Sequence, residues 1–154
     1  MATQSNDAPG RPSPVDRDAR LLMALGATLF FLGLVSGLLV PVMTNPRMGL
    51  AGHLEGVMNG MFLIAVGAVW SRVSLPPRLL SWTLGLLCLG AYVNWFFVSL
   101  SAVFGASRTM PLAGAGYAAL PWQESLVTIG LTAAALAMLA GSGLLVWGFF
   151  RREA

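Results

Sequence analysis

The sequence has no lysine, a single histidine (His53) and a single cysteine (Cys88). Without lysine it cannot carry the glycine-rich phosphate loop that ends in Lys and Ser/Thr. One cysteine permits no disulfide within the chain, and Cys88 sits in an apolar run where packing is its expected role. There is no paired-Cys or multi-His metal motif. With no aspartate in the apolar segments, a Ser-His-Asp hydrolase triad is implausible. Charge is scarce too: charged residues are 10% of the chain, against roughly 25% in a soluble domain.

What fills the chain is apolar. Of its 154 residues 56% are hydrophobic, and the mean hydropathy is +0.75. These values point to an integral membrane protein of one domain. The opening "MATQSNDAPGRPSPVDRD" lacks the basic start and short apolar stretch of a cleavable signal. Residues 1–19 are therefore expected to form a disordered cytoplasmic tail. Residues 20–152 are expected to form an all-α membrane domain with spans near 21–43, 48–71, 79–102 and 123–150. Each is long enough for a hydrocarbon core of about 30 Å. Long runs without two-residue alternation favour a four-helix bundle over a closed barrel.

All nine basic residues are arginines. The net charge of +3 invites a nucleic-acid reading, but the arginines flank apolar segments singly or in pairs and form no patch. Four spans put Arg11, Arg17, Arg20, Arg72, Arg78, Arg151 and Arg152 on one side, and Arg47 and Arg108 on the other. The positive-inside rule makes the first side cytoplasmic, with both termini inside. Trp70, Trp82 and Trp147 would mark the inner interface and Trp122 the outer one. Small residues four apart predict close helix contacts: Gly33 and Gly37, Gly56 and Gly60, and Ala133, Ala137 and Gly141.

Against this background, "GHLEGVMNGMF" (52–62) places a histidine, a glutamate and an asparagine in the second span. His53 and Glu55 lie near its outer end, with Asn59 a turn or two deeper. Asn94 in the third span, Ser36 in the first and Gln123–Glu124 at the start of the fourth reach the same depth zone. At about 100° per residue, His53, Gly56, Gly60 and Gly67 form one stripe. Glu55 and Asn59 lie on its flank as i, i+4 neighbours able to interact. Leu54, Met58, Met61 and Ala65 form the opposite, lipid-facing side. His53 and Glu55 point in different directions and are not expected to form a direct dyad. A charged Glu in the bilayer costs about 2.5–3.5 kcal/mol, so a retained one usually has a functional partner. The structural alternatives are a wet interface for Glu55 and helix-joining hydrogen bonds for His53, Asn59 and Asn94. Tyr92 and Trp95 read as packing.

The stretch "TNPRMGLAGHLEGVMNGMFLIAVGAVW" resembles hydroxylaminobenzene mutase, with further likeness at "AYVNW" and "MPLAGAG". The resemblance implies a bacterial inner-membrane isomerase of nitroarene degradation, turning phenylhydroxylamine into 2-aminophenol without redox turnover. More distantly, the chain is similar to styrene oxide isomerase, a four-helix homotrimer with ferric haem b at its subunit interfaces. That similarity implies His53 as the haem ligand, because the family's histidine precedes an asparagine by six residues, as His53 precedes Asn59. Asn94 matches its third-helix asparagine. Val98 stands where the family has a substrate-positioning tyrosine and Gly90 where it has an aspartate, which counts against epoxide chemistry.

The expected site is therefore His53 on iron, with Gly56 and Gly60 keeping the surface near the macrocycle low. Glu55 would protonate the leaving oxygen or stabilise a cationic intermediate. Asn59 and Asn94 would orient an aryl hydroxylamine. The main alternative is a small proton-coupled multidrug transporter using Glu55. It is disfavoured because that family carries its glutamate on the first helix and its dual-topology members show little charge bias. A third reading is a structural subunit of a larger membrane complex.

Overall fold

A computed structural model describes residues 13–151. Four long helices carry the fold: α1 (Pro14–Leu39), α2 (Pro46–Val69), α3 (Pro77–Phe104) and α5 (Pro121–Phe150). A short α4 (Pro111–Gly114) interrupts the last connection. With the 3₁₀ turns Val40–Val42 and Trp70–Arg72 added to α1 and α2, all four are long and apolar enough to cross a membrane. Every helix opens on proline at its first position, where the missing N–H is not needed.

The first helix starts earlier than the hydropathy suggests. Ser13 Oγ accepts the N–H of Asp16 at 3.1 Å, and the Asp16 carboxylate accepts the N–H of Ser13 at 3.3 Å. This capping box, with Pro14 behind it, nucleates a turn in polar sequence. Residues 14–19, expected in the tail, are therefore helical, and residues 1–12 lie outside the described residues.

The helices pack in sequence order, α1 on α2, α2 on α3 and α3 on α5. Leu22, Leu29, Leu63, Leu87 and Leu145 build the inner core together with Trp70, which is only 1% exposed. Trp70, read from the sequence as an interfacial anchor, is thus a core residue, whereas Trp82, Trp122 and Trp147 are exposed. A second cluster, Met48, Val98, Ala102 and Val127, sits at the end of the bundle that carries the α3–α5 connection.

Backbone proximity explains the tight α1–α2 pair. A Cβ on Gly56 would stand 2.5 Å from Gly33 Cα, and one on Gly60 would stand 2.5 Å from Phe30 N. Only hydrogen fits at either place. On α5 the small-residue face is offset from the expected one: Ala134, Ala137 and Gly141 are buried, while Ala133 is exposed.

Candidate functional site

Polar side chains of the second span gather on two sides of α2. Leu54, Met58 and Met61 are exposed on the outward side of α2, while Gly52, Gly56 and Gly60 are buried on the inward side. That orientation turns Glu55 and Asn59 toward α3 and His53 toward α1.

On the α3 side, Asn94 Nδ2 donates to Glu55 Oε2 at 2.6 Å, and Asn59 Nδ2 donates to the same oxygen at 3.2 Å. All three side chains are half-buried. Two amide donors on one carboxyl oxygen are what a partly desolvated carboxyl group requires. Among the described residues the second oxygen, Oε1, has no hydrogen-bond partner. It is the atom of this group able to hold a proton or meet a ligand.

On the α1 side, His53 Nδ1 lies 2.8 Å from the carbonyl oxygen of Gly33. A carbonyl can only accept, so Nδ1 is the donor, and in the neutral ring the lone pair is then on Nε2. His53 lines an apolar recess of about 550 Å³ with Leu34, Gly37, Leu38 and Leu50. Gly37 makes room for the ring, since a Cβ there would stand 2.6 Å from Nδ1. A neutral imidazole fixed through Nδ1, with Nε2 available beside an apolar recess, fits a proximal haem ligand. Among the described residues no three His, Cys, Asp or Glu side chains group to hold a bare metal ion. Gly56 and Gly60, expected beside a macrocycle, lie in the α1–α2 contact, so the low surface they create is occupied by a helix.

The remaining polar residues of the zone divide between the site and the scaffold. Ser36 is buried and donates to Gly33 O at 2.8 Å; Trp95 Nε1 lies 3.5 Å from Ser36 Oγ. Glu124 instead accepts the backbone N–H groups of Ser107 and Arg108 at 2.9 and 3.0 Å, and Gln123 caps α5 through Leu120 N. Both serve the α3–α5 connection, and neither bonds to Glu55.

Sequence reasoning passed over Asn45, which is fully buried. Its Oδ1 accepts Met48 N–H at 3.1 Å as the α2 cap, and its Nδ2 donates to Ala113 O at 2.9 Å. The Asn-Pro pair in "TNPR" is the helix-start signal that reveals the cap. Arg47 adds a second tether by donating to Ala115 O.

The chain is 42% identical over 149 residues to the hydroxylaminobenzene mutase HabB of Ectopseudomonas oleovorans, spanning 96% of this chain and 86% of that protein. It is 44% identical over 131 residues to hydroxylaminobenzene mutase HabA of the same organism, spanning 84% and 97%. No solved structure matches. The family pattern of styrene oxide isomerase matches residues 18–150, which takes in all four long helices from the second turn of α1 onward. By that match and those identities, this chain belongs to the styrene oxide isomerase family.

Proposed function

We propose that the chain is a membrane-bound isomerase of the hydroxylaminobenzene mutase type, moving the hydroxyl of an aryl hydroxylamine such as phenylhydroxylamine to the ortho ring carbon. Substrate and product, here 2-aminophenol, have the same composition. The N–O bond breaks, a C–O bond forms, the ring loses a proton and nitrogen gains one. No external electrons enter or leave.

The observation that carries this reading at the site is the convergence of Asn59 and Asn94 on one oxygen of Glu55. With Oε2 held by two amides, Oε1 is left to give a proton to the departing hydroxyl and to take one back from the ring. The same carboxylate stabilises positive charge on the aryl nitrogen as the N–O bond opens. The asparagines fix the direction of Oε1, and the apolar surroundings limit attack by bulk water. The family resemblance implies ferric haem b, and His53 Nε2 is the atom that would hold it. Bound there, haem would supply a Lewis acid for the hydroxylamine nitrogen or oxygen.

His53 and Glu55 occupy different flanks of α2, which favours a site completed by a second chain. A cyclic homo-oligomer, a trimer by resemblance, brings the His53 flank of one subunit to the Glu55 flank of the next. The arginine distribution favours an inner-membrane protein with both termini in the cytoplasm. The transporter alternative loses support because the relatives are mutases and Glu55 is held by α3.

The test is to incubate purified protein with phenylhydroxylamine, identify the products and record the absorbance spectrum. Formation of 2-aminophenol with a Soret band that His53→Ala removes is the expected result. A colourless, fully active protein would overturn the haem assignment, and absence of 2-aminophenol would overturn the substrate.

A further inference from the structure

The carbonyl of Gly33 receives more donors than it has lone pairs. As a mid-helix carbonyl of α1 it serves the amide four residues on. His53 Nδ1–H reaches it at 2.8 Å, and Ser36 Oγ–H reaches it at 2.8 Å as well. A carbonyl oxygen offers two lone pairs, so three donors compete and each bond is weaker than it would be alone. Ser36 is 5% exposed, so water offers it little alternative. Trp95 Nε1 points at Ser36 Oγ from 3.5 Å, and a donor arriving at that oxygen polarises its own O–H toward Gly33.

We infer that Ser36 is a positioning residue for His53: by sharing the Gly33 carbonyl, it limits the electron density that the imidazole delivers through Nε2. A histidine whose Nδ1–H bond is strong becomes a stronger donor at Nε2. Such a ligand would quench a metal that must act as a Lewis acid. The shared carbonyl avoids this while still fixing the tautomer. A helical serine bonding back to its own helix is ordinary. Here the acceptor is also the one that holds the imidazole. Trp95 extends the chain to α3, next to Asn94. Adjacent residues of α3 therefore reach both flanks of α2, Asn94 at Glu55 and Trp95 through Ser36 at His53.

This inference rests on His53 being a ligand, but its first test does not require haem. His53 is the only histidine, so histidine-selective labelling of untagged apoprotein reports one ring. In Ser36→Ala the Nδ1–H proton resonance moves downfield, because the freed carbonyl accepts His53 more strongly. Trp95→Phe moves it the same way by less. In the haem-loaded protein, Ser36→Ala lowers the midpoint potential and reduces turnover about tenfold. A folded Ser36→Ala protein whose resonance stays in place or moves upfield overturns the inference, and so does an unchanged potential. A wild type that takes up no haem would instead break the cofactor assignment, leaving the apoprotein resonance to decide the role of Ser36.

Discussion

His53 and Glu55 stand two residues apart on α2, yet their partners come from different helices. His53 is fixed by the Gly33 carbonyl of α1 at 2.8 Å, and Glu55 by the Asn94 amide of α3 at 2.6 Å. A step of two residues turns a helix by about 200°, so one short segment serves both neighbours. The orientation of α2 comes from its glycine face, which lets α1 and α3 approach. Polar contacts and packing are therefore encoded in the same eleven residues, 52–62.

Glu55→Gln keeps the shape of the side chain and leaves one amide oxygen to accept Asn59 and Asn94. It removes the exchangeable proton. Turnover of phenylhydroxylamine is expected to fall on the order of a hundredfold or more, with little change in unfolding temperature in detergent. Wild-type turnover in this variant would remove Glu55 from the proton transfer.

The two spanning glutamates should behave oppositely. Glu124 is 7% exposed and holds the Ser107 and Arg108 amides with its two oxygens. Glu124→Gln faces one of those N–H groups with an NH₂, a lost charge-assisted bond costing about 1.5–3 kcal/mol. Thermal unfolding in detergent should drop clearly, while residual turnover per folded molecule drops less than in Glu55→Gln. A reversed pattern would mean that the roles of the two carboxylates have been exchanged.

The four spans are legible because hydropathy and proline placement are local signals. The sector of α2 that carries the polar residues is legible for the same reason, through helical periodicity. What the sequence hides is which neighbour each flank meets. The order α1, α2, α3, α5 is a tertiary outcome, so Gly56 and Gly60 fitted a macrocycle and a helix contact equally well. Trp70 reads as an interfacial anchor by composition, but the chain returns through Val73 and Leu75 to cover it. The start of α1 is missed because hydropathy is blind to the Ser13–Asp16 capping box. The Gly33 carbonyl leaves no side-chain signature at all.

Asn94 should matter more than Asn59. Its bond to Glu55 is shorter and joins two helices, whereas Asn59 bonds within α2. Asn94→Ala is expected to destabilise by about 1.5–3 kcal/mol and to cut kcat further than Asn59→Ala. Parallel denaturation and kinetics of the two variants check this. Equal losses would mean that the interhelical bond adds nothing beyond the local one.

Glycine substitutions separate contact from composition. Gly60→Ala would put a methyl 2.5 Å from Phe30 N and 2.7 Å from Gly26 O, and backbone cannot yield without parting α1 from α2. Overpacking of this kind costs about 1–3 kcal/mol. Gly85 and Gly143 have nothing within 4 Å of such a methyl. Alanine at either should raise stability by roughly 0.5–1 kcal/mol through helix propensity. Melting curves in one detergent suffice, and a harmless Gly60→Ala would refute the close approach of α1 and α2.

Gly37 tests the imidazole without touching it. Gly37→Ala places a methyl where His53 Nδ1 now lies, 2.6 Å away, so the ring must turn and leave the Gly33 carbonyl. Gly37 is only half-buried, and the helix itself gains from alanine, so folding should survive. Haem titration followed at the Soret band should then show affinity weakened about tenfold or more, the scale expected when a ligand loses its orienting partner. The same variant should lose the downfield Nδ1–H resonance in the apoprotein. Unchanged affinity together with a lost resonance would show that the carbonyl does not orient the ligand. An unchanged resonance would show that the ring is not held where the Gly33 bond places it.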